Sequence, residues 1–207
     1  MSHYLEELSL QLKPFQLEGF DQLKDLDSSI VNWSTGTGKT IMGISKANYL
    51  YRSGKVDKVI VASRNHNKIN WQRQFKKIAN LDAVVVEASK GDAVARRKAR
   101  EELYRDNPIL IINYEKFRLQ GKSGGDGDEL KKILKNLNVY FIFDEMPVML
   151  KNTSSLIYKG ALSVTRACGK AHKTMLSATP LENNPEDIYA CMKILDSTVF
   201  GTNVNSF

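Results

Sequence analysis

Two stretches of this chain leave almost nothing polar for water to hold. Ile109-Leu110-Ile111-Ile112 and Val139-Tyr140-Phe141-Ile142-Phe143 run apolar without a break. A strand with one wet face alternates apolar and polar side chains, because successive residues point to opposite faces. An unbroken run therefore fits a strand covered on both faces, the situation of parallel sheets coated by their crossover helices. The rest of the chain agrees. Strand-like runs fall at 29–32, 58–62, 83–86, 109–113, 139–143 and 174–176, and helical patterns fall between and after them at 39–52, 67–79, 93–105, 129–136 and 185–195. This alternation predicts an α/β fold with a mostly parallel sheet and helices on both faces. A length of 207 residues suits a single domain, 1–207, whose core needs no disulfide or structural metal. The segment 121–128 reads GKSGGDGD, with four glycines and no apolar residue, and is expected to be a flexible loop rather than a boundary, because the strand pattern resumes after it.

Chemistry enters at the ends of two predicted strands. Ser34-Thr35-Gly36-Thr37-Gly38-Lys39-Thr40 follows the first strand and opens the first long helix. Glycines let a backbone curl so that its N–H groups converge on phosphate oxygens, and the helix N-terminus adds partial positive charge. In such a P-loop, Lys39 reaches the β- and γ-phosphates and Thr40 ligates Mg²⁺. Trp33 stands where the generic pattern places its first glycine. The second site is Asp144-Glu145, at the end of the 139–143 strand. Ligands of open α/β sheets bind at the carboxyl ends of strands. Asp144 is the expected Mg²⁺ ligand and Glu145 the group that orients and deprotonates the attacking water. A pair of acidic residues after a strand is weak on its own and gains meaning from the loop upstream.

Charge and cysteine content narrow the class. Thirty Lys and Arg against 23 Asp and Glu give a net charge of +7, compatible with a polyanionic partner and equally with ordinary solubility. Cys168 and Cys191 form no metal-type spacing and read as reduced thiols of a cytoplasmic setting, the nucleus remaining open. No segment has the length of a signal sequence core or a membrane span, so no membrane partner is expected. Within 93–105, Arg96-Arg97-Lys98 and Arg100 form the densest basic cluster, read as a solvated helix face paired with Glu101 and Glu102 in preference to a phosphate contact.

The order of these motifs resembles superfamily 2 helicase-type ATPases of the Swi/Snf branch, over about residues 10 to 201. Leu12-Lys13-Pro14-Phe15-Gln16-Leu17-Glu18-Gly19 looks like their adenine-reading segment, so the resemblance implies that Gln16 bonds the adenine edge. Val59-Ile60-Val61-Ala62-Ser63 followed by Asn70-Trp71 is similar to their next strand and helix. Here Ser63 replaces a usual proline and the spacing to Trp71 is one residue longer. The residues alone read Trp71 and Phe75 as core packing at i, i+4. The resemblance makes Ser63, Arg64 and Asn65 nucleic-acid contact candidates. Leu150-Lys151-Asn152 follows the acidic pair as in the family, whereas Met146-Pro147 replaces a usual small residue and histidine. Leu176-Ser177-Ala178-Thr179-Pro180-Leu181-Glu182-Asn183 resembles the coupling motif, which implies that Ser177 and Thr179 link nucleotide state to DNA.

The resemblance implies the first RecA-like lobe of a DNA-dependent ATPase, using ATP and Mg²⁺ and contacting double-stranded DNA without sequence preference. It also implies a second lobe, in cis or in trans, that supplies arginines to the transferring phosphoryl group. Two other readings stay open: a lobe of a strand-separating helicase, and a single-lobe module that binds nucleotide, DNA or protein without catalysis.

Overall fold

A computed structural model describes residues 7–87, 92–120, 125–150, 152–178 and 185–199. Six strands form one sheet in the order β1-β6-β5-β2-β4-β3, every neighbouring pair parallel. They are β1 Ser28–Asn32, β2 Lys58–Ser63, β3 Val84–Val85, β4 Ile109–Asn113, β5 Asn138–Asp144 and β6 Lys170–Ser177. The helices are α1 Pro14–Leu23, α2 Lys39–Arg52, α3 Lys68–Ala79, α4 Ala93–Asp106, α5 Asp126–Leu134, α6 Met146–Leu150, α7 Leu156–Ala167 and α8 Pro185–Leu195. Short 3₁₀ turns occupy Asn65–Asn67 and Tyr114–Phe117. No helix among the described residues is long and apolar enough to cross a membrane.

Two-sided burial of the central strands is visible residue by residue. In β5, Val139, Phe141 and Phe143 enter one apolar core with α5, α6, α7 and α8. Tyr140 and Ile142 enter a second core on the opposite face with α1, α2 and α3. The strands β2 and β4 divide the same way, Ile60, Leu110 and Ile112 facing the first core and Val59, Val61, Ile109 and Ile111 the second. Each fully buried Phe, Ile or Val contributes roughly 1.5–3 kcal/mol, so a one-residue slip of β5 against β2 would exchange the two cores' side chains wholesale.

Two expectations need correction, and two helices lie where none is expected. The second half of the 121–128 segment is helical: α5 begins at Asp126, and the Asp128 carboxylate accepts N–H bonds from Gly125 (3.0 Å) and Gln120 (2.7 Å). Asp126, Asp128 and Glu129 fill its first turn, where negative charge complements the helix dipole. Residues 121–124 lie outside the described set. Helix α7 was not anticipated, because its sequence carries Gly160 and several β-branched or hydroxyl residues. Ser155 caps it by accepting from the Tyr158 N–H (3.1 Å), and Gly160 is required because any Cβ there would overlap the Phe117 carbonyl oxygen. Helix α6 begins at Met146 with Pro147 beside it in the first turn, where the missing N–H costs nothing. Strand β6 starts four residues early because its polar N-terminal half pairs with β5 and buries His172.

Helix α2 buries a lysine. Lys46 is fully enclosed, donates to the Leu26 carbonyl (2.8 Å) and lies 5.4 Å from the centre of the Tyr140 ring. Desolvation lowers its pKa from the usual 10.5 to about 8, against the opposing pull of Asp27 and Asp25. Between those values the unfolded chain keeps a proton that the folded chain has released, so stability rises with pH across that window. The unfolding free energy of the wild type relative to Lys46→Met should therefore rise by about 2 kcal/mol between pH 8 and 10. Urea melts at stepped pH values measure it. A flat difference would mean that the ammonium is solvated in the folded protein.

Candidate functional site

The in-register sheet sets the site. Asn32 at the end of β1 pairs with Ser177 at the end of β6, and Leu176 pairs with Asp144 at the end of β5. The loop 33–38 and the acidic pair therefore leave the sheet at the same carboxyl edge.

Gly36 and Gly38 take φ values of +77° and +100°, in the left-handed region that glycine enters without steric cost. Gly38 sits at the N-cap of α2, and no side chain makes a cap hydrogen bond there. The first turn's N–H groups are left facing the cleft, as an anion requires. Gly36, Gly38, Lys39 and Thr40 line a cleft of about 250 Å³, closed from the other side by Asn70 and Gln74 of α3. The Lys39 ammonium donates back to the carbonyls of Trp33 (2.7 Å) and Ser34 (3.1 Å). The Thr37 hydroxyl also donates to the Ser34 carbonyl (2.6 Å), which tightens the turn. Gln16, at the start of α1, is buried against this loop. Its Oε1 accepts from the Lys13 N–H (2.9 Å) and its Nε2 donates to the Thr37 carbonyl (3.0 Å). A primary amide has two N–H donors and an oxygen with two lone pairs, so each end keeps one valence after these bonds.

Across the edge, Asp144 is half-buried. Its Oδ2 accepts from Asn67 Nδ2 (2.8 Å) and Trp71 Nε1 (2.9 Å). Burial pushes its carboxyl above the usual range, and Glu145 adds to this, while the two donors and the Lys39 ammonium oppose it. The placement itself follows from the register, which brings the ends of β1, β6 and β5 to one edge. The Tyr114 hydroxyl, buried, donates to the Asp144 carbonyl (2.8 Å) and fixes the strand end. Glu145 follows at φ +54°, an uncommon region for a residue with a Cβ, and its N–H donates to the Leu176 carbonyl (2.9 Å). Its exposed carboxylate lies 3.0 Å from Arg64 Nε, an ion pair without hydrogen-bond alignment.

The donor set suits a hard cation beside phosphate. Both donors to Asp144 converge on Oδ2, which leaves Oδ1 without a protein donor among the described residues, and Thr40 lines the cleft at the same sheet edge. Mg²⁺ is commonly held this way, by one or two protein oxygens with phosphates and water completing six ligands.

The remaining candidates divide. Ser63 is removed from the surface set: it is fully buried, and its hydroxyl donates to the Arg64 carbonyl (3.1 Å). Arg64 is half-exposed and already paired with Glu145, and Asn65 is exposed. Ser177 is buried at the end of β6, and Thr179 lies outside the described residues. The basic cluster of α4 is largely spoken for, with Arg97 near Glu129 (2.9 Å) and Glu101 (3.5 Å), Lys98 near Glu102 (3.9 Å) and Arg100 near Asp126 (3.4 Å). Trp71 and Phe75 are core residues as expected, their rings 6.2 Å apart. The polar roles of Asn67, Trp71 and Tyr114 were missed. The i, i+4 spacing of Asn67 and Trp71 puts both on one face of α3's first turn, and that was the signal available.

A family model described as the SNF2-related domain matches residues 22–207. Chromodomain-helicase-DNA-binding protein 6 of Homo sapiens is 26% identical over 93% of this chain, which spans 7% of that protein's length. The Sulfolobus solfataricus SWI2/SNF2 ATPase core in complex with dsDNA superposes with a TM-score of 0.72 at 20% identity, over 95% of this chain and 38% of that one. The Pyrococcus furiosus Hef helicase domain superposes at 0.68 with 18% identity, over 89% and 36%. These structures carry the RecA-like fold, which the present sheet shares.

The contact between Gln16 and the loop makes Gly38 doubly constrained, since a Cβ there would overlap Gln16 Nε2 as well as strain the backbone. Gly38→Ala should destabilise by roughly 1–3 kcal/mol. Chemical denaturation of the four members of a double-mutant cycle should find that penalty smaller in a Gln16→Ala background. An equal penalty in both backgrounds would leave backbone strain alone as its cause.

Proposed function

We propose that this chain, which belongs to the SNF2-related domain family, is the ATP-binding RecA-like lobe of a DNA-dependent ATPase that moves along double-stranded DNA. One observation carries the reading: the parallel register brings a glycine-rich loop with an uncapped helix N-terminus and a carboxylate held by two N–H donors to the same carboxyl edge of the sheet. In this reading the main-chain amides of Ser34, Thr35, Gly36, Thr37 and Gly38 cradle the triphosphate, and Lys39 leaves its own loop carbonyls to meet the β- and γ-phosphates. Gln16 offers its remaining donor and acceptor valences to the adenine edge. Thr40 and Asp144 hold Mg²⁺, which when bound neutralises charge on the phosphates. Glu145 orients the attacking water and takes its proton. Ser177, in the strand beside Asp144, and Thr179 couple this site to DNA.

Support for DNA as partner comes from the dsDNA complex of the Sulfolobus core and from the net charge of +7. Backbone contact without base reading suits a motor that must cross any sequence. The chain aligns with 38% of that core, in keeping with a second lobe, in cis or in trans, that closes over the nucleotide and supplies an arginine. Such an arginine is worth roughly 10³–10⁵ in rate, so turnover by these 207 residues alone is slow.

Loss of the Lys39 ammonium removes a charge-assisted bond to phosphate, so Lys39→Ala should weaken ATP binding by roughly tenfold to a hundredfold. Titration of a fluorescent ATP analogue into both proteins measures it. Equal affinities would remove the phosphate-loop assignment.

A further inference from the structure

The segment 64–71, which runs from the end of β2 into the first turn of α3, reaches both carboxylates of the acidic pair from far upstream. Asn67 and Trp71 lie 77 and 73 residues before Asp144, yet both donate to the same oxygen, Oδ2. Arg64, at the start of the same segment, pairs with Glu145. Packing accounts for the burial of the Trp71 ring in the core with Phe75, but not for an indole N–H aimed at a carboxylate. Asn67 is the more telling residue. It occupies the N-cap of α3, where an asparagine side chain ordinarily accepts from the helix's own first-turn N–H groups. Here it makes no such cap bond. Its amide nitrogen goes to Asp144, and its oxygen accepts from Asn70 Nδ2 (3.2 Å). A local bond has been given up for a distant one.

Two neutral donors on one oxygen fix the carboxylate's rotation and turn the other oxygen outward, as outer-shell partners do around metal ligands. The Arg64–Glu145 pair is half-exposed on both sides and screened, so it steers Glu145 weakly compared with the hold on Asp144. We propose that Asn67 and Trp71 are positioning residues for the metal-binding carboxylate, so that the segment 64–71 and the end of β5 together form one prearranged half of the Mg²⁺ site. This rests on the reading of Asp144 as a Mg²⁺ ligand. It has a consequence for the candidate DNA-facing residues Arg64 and Asn65. They belong to the same short segment as the groups that aim Asp144, so a phosphate backbone engaging them acts within a few residues of the metal site.

The test uses the 207-residue chain with Mn²⁺ as the probe metal and a fluorescent, non-hydrolysable ATP analogue. Nucleotide affinity is measured in EDTA and in saturating Mn²⁺, and the ratio of the two reports what the metal adds. Asn67→Ala and Trp71→Phe should each lower that ratio by roughly tenfold. Each should leave the EDTA affinity within about twofold, because the phosphate loop is untouched. Asp144→Ala sets the floor. If Asp144→Ala leaves the ratio at the wild-type value, the metal-ligand reading itself fails. If Asp144→Ala abolishes the metal's contribution while Asn67→Ala and Trp71→Phe retain it, the positioning role is overturned. A parallel loss of affinity in EDTA and in Mn²⁺ would mark the two residues as structural only and would also overturn it. Should Trp71→Phe melt early, Asn67→Ala decides alone, since its side chain is half-exposed and makes no cap bond whose loss would unfold α3.

Discussion

The site depends on the two-sided burial of β5. With Val139, Phe141 and Phe143 locked into one core and Tyr140 and Ile142 into the other, the strand has one register against β2 and β6. The carboxyl end of that strand is the only freedom left, and it is spent on Asp144 and Glu145. Because β6 carries the same register on to β1, the phosphate-loop candidate emerges at the same edge. Hydrophobic burial distributed over several helices thus brings two polar groups that are more than 100 residues apart, Lys39 and Asp144, to one edge of the sheet. Neither group has a local reason to find the other.

Features with a short period were legible in the sequence. The continuous apolar runs located β4 and β5, and the bounds 39–52 and 185–195 coincide with α2 and α8. The glycine-rich loop and the acidic pair were readable because each requires particular residues at adjacent positions. What escaped notice was long-range. Gly160 in α7 is there because the Phe117 backbone passes too close for any side chain, a reason that lies outside its own stretch of sequence. Asp126 and Asp128 looked like part of a polar loop and instead start α5, their charge suited to its N-terminus. Its motif position makes Ser63 a surface-contact candidate, whereas as the last residue of a strand covered on both sides it is buried. Asn67 and Trp71 from one segment and Tyr114 from another converge on Asp144, an arrangement that only the packed sheet creates.

Two carboxylates in sequence are held very differently. Asp144 is half-buried and bonded, its anionic form opposed by burial and supported by two N–H donors. Glu145 is exposed, sits at φ +54° and is touched mainly by an arginine from another segment. A fixed, partly desolvated carboxylate suits metal binding, and an exposed one suits a group that must reorient around water when a partner closes the cleft. The back-folded Lys39, bonded to Trp33 and Ser34 carbonyls, belongs to the same pattern, since those bonds are replaceable by phosphate oxygens.

Affinity cleavage tests the shared edge most directly. Loading the chain with Fe²⁺ and an ATP analogue in place of Mg²⁺, then adding ascorbate and peroxide, generates hydroxyl radicals at the metal. The account predicts backbone cuts in two places that are distant in sequence, around Thr40 and around Asp144, both suppressed by excess Mg²⁺. Cuts confined to the neighbourhood of Thr40, with 144–145 intact, would contradict it.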